Sequence, residues 1–282
     1  MASETRTAVI TGTTSGLGQR AAAAVAATAG WRAVHAVRSP ARLPAGAEHV
    51  QVELASLASV RRAAEEVADR YGPVHALVLN AGLQHRCGDL TSEDGHELTF
   101  AVNHLAQFLL AMLLRPVFAD GARVITLSSG THRGPLRSGG FPAPRWAPLP
   151  DLLRPGRTNG LVAYSTSKLA AVYLAYEAAV RWPNLQVNAY DPGLVASTGL
   201  ARHLPGPAYA ALRRSERVLA RLAPFAHTVD ESGMALAELA TGADFTGRYV
   251  EVRRVEPSSD ESYDPHRARR LWDDASTLLD LA

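Results

Sequence analysis

The sequence predicts an α/β fold: a doubly wound parallel sheet of about seven strands with helices on both faces. Three observations carry this. Short, almost wholly apolar runs recur along the 282-residue chain, each too brief for a helix and suited to strands buried on both faces. Longer stretches with helical periodicity separate them. A glycine-rich turn joins the first apolar run to the first helical stretch. No linker, repeat or low-complexity break interrupts the alternation, so one domain over residues 1–282 is expected.

In order, Thr7–Ile10 reads as the first strand, followed by the turn Thr11-Gly12-Thr13-Thr14-Ser15-Gly16-Leu17-Gly18 and an alanine-rich helix over Gln19–Ala29. Glycines there let the backbone turn sharply and approach a ligand, and the helix N-terminus that follows suits a pyrophosphate. The spacing is G-x-x-x-G-x-G rather than G-x-G-x-x-G. Arg32–Val37 reads as the second strand, ending at Arg38. In dinucleotide-binding Rossmann-type units an acidic residue about 20 positions beyond the glycines holds a ribose hydroxyl, and an arginine accommodates a 2′-phosphate. Arg38 therefore predicts NADP(H), with Arg42 a weaker candidate.

Val50–Val52 reads as a third strand leading to Glu53 and Leu54, with Ser56 capping a helix over Leu57–Tyr71. Val74–Leu79 is the fourth strand and runs into Asn80-Ala81-Gly82. A long helix follows, roughly His96–Phe118, apolar except at Asn103, His104 and Gln107; a polar side chain in such a helix is hydrogen-bonded in the core or belongs to a site. Arg123–Leu127 is the fifth strand and ends in Ser128-Ser129. Residues 130–160 are rich in Gly, Pro and Arg, and a loop of that length points to a functional excursion. A helix from Tyr164 to about Trp182, a strand over Gln186–Tyr190, the turn Asp191-Pro192-Gly193, and a helical, arginine-laced segment 199–225 come next. A helix over Val229–Thr241, a strand near Gly247–Val252 and a closing helix over His266–Leu281 complete the chain.

Composition narrows the function. The net charge of +2 carries no footprint for nucleic acid. The single cysteine, Cys87, excludes an internal disulfide and a cysteine-based zinc site. No uninterrupted apolar run reaches the roughly 18 residues of a membrane span, and the N-terminus shows no secretory pattern, so a cytoplasmic protein is expected. The chemistry concentrates at Lys168, the only lysine among 29 Lys and Arg residues. It follows Tyr164 by four positions, one helical turn on the same face. An ammonium beside a phenol favours the phenolate and lowers the tyrosine pKa toward working pH, so that it exchanges protons with a carbonyl or alcohol oxygen. Arginine carries the charge on a planar fork and does not replace a compact three-donor ammonium.

With these motifs in order, the chain resembles the short-chain dehydrogenase/reductase family over nearly its whole length. Thr11 to Gly18 is similar to the family's T-G-x-x-x-G-x-G cofactor loop, Asn80-Ala81-Gly82 to its N-A-G segment, and Val102-Asn103-His104-Leu105 to its V-N-x-L stretch. Ser129 corresponds to its catalytic serine, Tyr164 and Lys168 to Y-x-x-x-K, and Pro192-Gly193 to the turn beside the nicotinamide, with Ser197 at the usual threonine and Thr198 next to it. The resemblance implies Asn103, Ser129, Tyr164 and Lys168 as catalytic residues. It implies cofactor contacts from Gly12, Thr14, Ser15, Gly16, Leu17, Gly18, Arg38, Glu53, Leu54, Asn80, Ala81, Gly82, Tyr164, Lys168, Pro192, Gly193, Val195, Ser197 and Thr198. The phrases Asn103–Leu110, Ser167–Ala170 and Thr198–Arg202 resemble the retinol dehydrogenase and protochlorophyllide reductase branch.

The implied activity is NADPH-dependent reduction of a carbonyl, or its reverse, on a bulky and partly apolar substrate. In that reading Tyr164 gives the proton, Ser129 orients the oxygen, and Asn103 holds a water that links Lys168 to solvent. The alternatives are a C=C reductase and a catalytically silent cofactor-binding regulator. Three departures stand out: Glu53 replaces the usual Asp, Leu79 replaces a second Asn, and 35 positions separate Ser129 from Tyr164. The family's monomeric carbonyl reductases carry an insertion at that place, so a monomer or dimer is expected rather than a tetramer.

Overall fold

The computed structural model describes residues 5–136, 138, 140–195 and 226–281. Strands β1 (Arg6–Thr11), β2 (Trp31–Val37), β3 (His49–Gln51), β4 (Val74–Leu79), β5 (Phe118–Leu127), β6 (Gln186–Asp191), β7 (Arg248–Glu251) and β8 (Arg254–Glu256) form one sheet. Their order is β3-β2-β1-β4-β5-β6-β7-β8. All neighbours pair in parallel except β7 with β8. The inner strands are continuous apolar runs because both faces are covered.

One face carries α1 (Gly16–Ala26) and α7 (Val229–Gly242), which bury Leu17, Val25, Leu236 and Leu239 against Ala8, Ile10 and Val78. The other carries α2 (Leu57–Tyr71), α3 (Leu98–Phe100), α4 (Ala106–Leu114), α6 (Gly160–Arg181) and α8 (Pro265–Leu278), packed on Val9, Leu77, Val124 and Val187. β1 is the strand from which the order runs outward both ways. The crevice beyond its carboxyl end and that of β4 is the topological switch point where such sheets bind ligands. The glycine turn and Asn80 lie there.

The sheet has eight strands rather than about seven. The addition, Arg-Val-Glu, is short and exposed and pairs only through a hairpin in which Val252 takes φ +54°. β5 starts five residues earlier than expected, at Phe118. The long helix is not uniform: a π-turn, Ala101–Leu105, separates α3 from α4, and π-turns recur at functional positions. By mean hydropathy Leu98–Val117 is long and apolar enough to cross a membrane even though no uninterrupted run is, and 78% of it is buried inside the protein. Ser56 gives no side-chain cap to α2; Asp94 Oδ2 accepts from Leu57 N instead, at 2.9 Å. Thr228 and Glu231 form a capping box at α7. The expected helix over 199–225 lies outside the described residues.

The 130–160 excursion is packed. It contains a 3₁₀ turn, Gly130–Arg133, and α5 (Leu149–Leu152). Leu149, Leu152 and Leu153 enter the core, and the Trp146 ring meets Tyr173 edge-on at 5.6 Å. Its far end is latched to the loop after Gly82: Gly156 N donates to Gly88 O at 2.7 Å and Gly160 N to Arg86 O at 3.0 Å.

Candidate active site

The glycine turn is built by two constraints that exclude side chains. Gly12 has φ +72° and Gly16 φ +60°, conformations that glycine adopts at little cost. A Cβ on Gly18 would stand 2.4 Å from Asn80 Nδ2 and 2.6 Å from Gly12 O. Asn80 Nδ2 ties the turn to β4 by donating to Thr11 O at 2.8 Å and Gly12 O at 3.3 Å, and Ala81 N donates to Thr11 Oγ1 at 2.8 Å. Gln107 Nε2 closes the set on Ala81 O at 2.8 Å. Helix α1 begins inside the turn, at Gly16 rather than Gln19, so its unbonded first N–H groups face the crevice. Thr14 and Ser15 precede it, Ser15 extended and giving no side-chain cap, while Leu17 is buried beneath. Gly18→Ala is expected to cost about 1–3 kcal/mol through overpacking against backbone. Denaturant unfolding beside wild type, with an unchanged m-value, measures it.

Arg38 follows β2 directly and is exposed (75%); its Nη1 stands 3.6 Å from Glu53 Oε2. Glu53 Oε1 also accepts from Ala55 N, and Leu54 is buried behind it. The two residues beyond β3 and the arginine beyond β2 therefore flank one rim of the crevice. Arg42 lies further out, in an exposed 3₁₀ turn.

At the other end, Tyr164 and Lys168 lie on the first half of α6, which starts at Gly160 with Asn159 as its cap. Both are buried, at 3% and 4% exposure. Lys168 Nζ sits 5.4 Å from the centre of the Tyr164 ring and donates to Leu127 O at 2.9 Å. Its other two N–H groups have no partner among the described residues. Ser129, two residues beyond β5, lies near the Tyr164 hydroxyl, and its Oγ accepts from Thr131 N at 3.4 Å. Asn103 lies in the π-turn and acts as a clamp. Its Oδ1 accepts from Leu83 N at 2.8 Å, and its Nδ2 donates to Leu83 O at 2.9 Å and Ser167 Oγ at 3.0 Å. The Asn103 side-chain amide is thus engaged with protein. A Cβ on Gly82 would lie 3.2 Å from Asn103 Oδ1 and 3.5 Å from Lys168 Nζ, so the N-A-G glycine admits the amine to the crevice floor. Pro192 and Gly193 complete the rim, Gly193 with φ +69° and its N–H donating to Asp191 Oδ1 at 2.9 Å. Val195 is buried just beyond. Ser197 and Thr198 lie outside the described residues.

The electrostatics reverse one expectation. Burial pushes the Tyr164 phenol up, and the carboxylate of Asp191 adds to this; only the Ser129 hydrogen bond pulls down. Burial lowers the Lys168 amine to about 8 against the opposing pull of Asp191. The amine stands 5.4 Å from the ring centre, and desolvation outweighs the attraction that the spacing alone suggests.

Three residues that the sequence did not single out belong to this site. Ser167 links Asn103 to the Tyr164 carbonyl, which its hydroxyl meets at 2.7 Å. Asp191 is buried, accepts from the Tyr249 hydroxyl at 2.5 Å and faces both Lys168 and Tyr164. His132 lies beneath the Ser129 turn, its Nδ1 2.6 Å from Ser129 O. An acidic residue before Pro-Gly was the only readable signal among them.

Residues 6–140 match the short chain dehydrogenase family model. A Streptomyces sp. (strain C5) protein assigned as a daunorubicin C-13 ketoreductase is 35% identical over 287 residues, covering 97% of this chain and 92% of its own length. This chain belongs to the short-chain dehydrogenase family. Homo sapiens retinol dehydrogenase 13 is 31% identical, covering 98% of this chain and 85% of its own length. Among solved structures, a Beutenbergia cavernae protein assigned as an NAD(P)-dependent gluconate 5-dehydrogenase, with bound NADP, is 25% identical. It aligns at a TM-score of 0.65, covering 89% of this chain and 96% of its own. The family's doubly wound α/β fold and oxidoreductase class thus apply here. The glycine turn, the open start of α1 and the two uncommitted N–H groups of Lys168 fit a nicotinamide dinucleotide.

Proposed function

We propose that the chain is an NADPH-dependent reductase that converts a bulky, partly apolar ketone to an alcohol, or runs the reverse. The observation that carries this is the buried Tyr164–Lys168 pair, with Ser129 beside it, opening on the same crevice as the glycine turn. A nicotinamide dinucleotide bound there supplies the hydride. Tyr164, its pKa raised by burial, holds a proton on its hydroxyl at neutral pH and gives it to a carbonyl oxygen gaining charge. Ser129, beside that hydroxyl, serves as a second donor to the same oxygen. Lys168 supplies its uncommitted N–H groups to the ribose side of the crevice, and Asn103 holds the loop at Leu83 and the Ser167 turn in place around it.

The excursion supports the substrate class. The Phe141 ring lies 6.0 Å from the Tyr164 ring and gives the entrance an aromatic wall, suited to a flat ketone. The relative assigned as a daunorubicin C-13 ketoreductase agrees with that size and shape. The excursion also supports a monomer or dimer.

The test is consumption of NADPH and NADH against a panel of aromatic and aliphatic ketones, with the product identified by mass and NMR. An alcohol product is expected. A product that keeps its ketone and has lost a C=C bond sinks the reading, as does a folded, NADPH-binding protein that turns over nothing. In the same assay Arg38→Ala should weaken NADPH by about tenfold or more and leave NADH unchanged, since a charge-assisted phosphate contact is worth about 1.5–3 kcal/mol. Equal loss for both nucleotides removes Arg38 from the phosphate site.

A further inference from the structure

Ser129 is held from a side on which no reactant sits. His132, three positions on in the turn Gly130–Arg133, is 1% exposed. Its Nδ1 lies 2.6 Å from Ser129 O, and its Nε2 lies 3.1 Å from Ser259 N. A carbonyl only accepts and a backbone N–H only donates, so the two partners assign one tautomer, neutral and protonated at Nδ1. Burial lowers the ring to about 4, which keeps it neutral at ordinary pH. The ring also tilts against Tyr249 at 5.0 Å, and Tyr249 passes the contact to Asp191 and the Gly193 turn.

Ser259 itself is fixed by its surroundings. Arg133 Nη2 donates to Pro257 O at 2.6 Å. Tyr176 meets Ser258 Oγ at 2.7 Å, and Tyr173 donates to Glu261 O at 2.7 Å. Both tyrosines project from α6, the helix of Tyr164 and Lys168. The segment 257–263 is therefore braced on the catalytic helix, and His132 is the strut from it to the serine turn.

We propose that His132 is a positioning residue for Ser129: its neutral imidazole, gripped by Ser259 N–H, fixes the serine turn relative to α6 and thereby sets the reach of Ser129 to Tyr164. This rests on the proposed role of Ser129 as a donor to the reacting oxygen. Displacing a positioned group by about 1 Å costs on the order of 10²-fold in rate, so a strut of this kind affects turnover more than binding.

One substitution isolates the contact. Ser259 has φ −70°, which proline adopts, so Ser259→Pro removes the N–H while keeping the backbone angle. Ser259 Oγ has no hydrogen-bond partner among the described residues, so Ser259→Ala is the matched control. With NADPH and phenanthrenequinone as the probe substrate, Ser259→Pro should lower kcat by about 5–50-fold, with the NADPH dissociation constant unchanged. Ser259→Ala should behave as wild type. His132→Gln, whose Oε1 reaches about the Nε2 position and accepts from Ser259 N–H, should recover a large part of the kcat lost in His132→Ala. Nitrogen NMR of histidine-labelled protein should show His132 protonated at Nδ1, with the Nε2 signal shifting in Ser259→Pro and not in Ser259→Ala. Wild-type kcat in Ser259→Pro, equal kcat in His132→Gln and His132→Ala, or a proton on Nε2 each overturns the proposal. If Ser259→Pro does not fold, the two His132 variants and the wild-type tautomer decide it. A wild-type protein that turns over no carbonyl compound defeats the functional reading instead, whereas an active wild type with an indifferent Ser259→Pro defeats only the strut.

Discussion

Tyr164→Phe is expected to lower turnover by about 10²–10⁴-fold, the usual worth of a positioned general acid. The NADPH dissociation constant should stay within a factor of about two, because the ring, its contact with the Lys168 amine and the packing of α6 are retained. The hydroxyl it removes is buried, lies near Ser129 and has a raised pKa. That combination favours the direction in which the phenol starts protonated, so reduction should outrun oxidation at neutral pH. A companion result follows from Lys168, lowered to about 8. Below that pH the amine is charged and above it neutral, so kcat/KM for reduction should fall as pH rises through roughly 8, a titration that belongs to the Tyr164–Lys168 pair. Stopped-flow binding together with steady-state rates measures both. Wild-type turnover by Tyr164→Phe on a ketone that wild type reduces removes Tyr164 as the acid.

The sequence disclosed the parts of this site that are local and hid those that are not. The glycine turn was readable because positive φ at Gly12 and Gly16 and the close approach of Gly18 to Asn80 tolerate only glycine. The Tyr164–Lys168 pair was readable because one helical turn separates the two residues. The rise of the Tyr164 pKa was not, since it depends on burial to which the 130–160 excursion contributes through Phe141. Length and composition pointed to a functional excursion there, and three leucines and two glycine contacts pack it down. β8 was missed because its three residues alternate around a single exposed valine and take strand form only through the hairpin with β7. His132 gave no local signal because its decisive partner, Ser259, is 127 positions away.

Acidification should destabilise the fold from near pH 6.5 downward, and two histidines account for the largest part. His104 is fully buried between Phe100 and Phe108, with neither ring nitrogen partnered among the described residues, and burial lowers it from 6.5 to about 3. Burial likewise lowers His132 to about 4. A base with a depressed folded pKa contributes stability that is present above its unfolded value and lost as pH falls toward the folded one. The window here therefore opens near 6.5 and closes between about 4 and 3. At about pH 5 each histidine accounts for a loss of about 2 kcal/mol relative to neutral pH, together a large share of the 5–15 kcal/mol typical of a domain. Glu97 and Glu251, both raised by burial, offset part of this at the lower end, because their protonated forms are the better tolerated ones in the fold. A variant comparison separates the terms. His104→Leu replaces two unpartnered buried nitrogens with a side chain of similar volume, so it should match or exceed wild-type stability at neutral pH. Its advantage should then grow by about 2 kcal/mol on going to about pH 5. Urea unfolding of both proteins at the two pH values measures the difference directly. An advantage that stays constant with pH means that His104 binds its proton in the folded state as readily as in the unfolded one, and that the aromatic pocket around it opens to water.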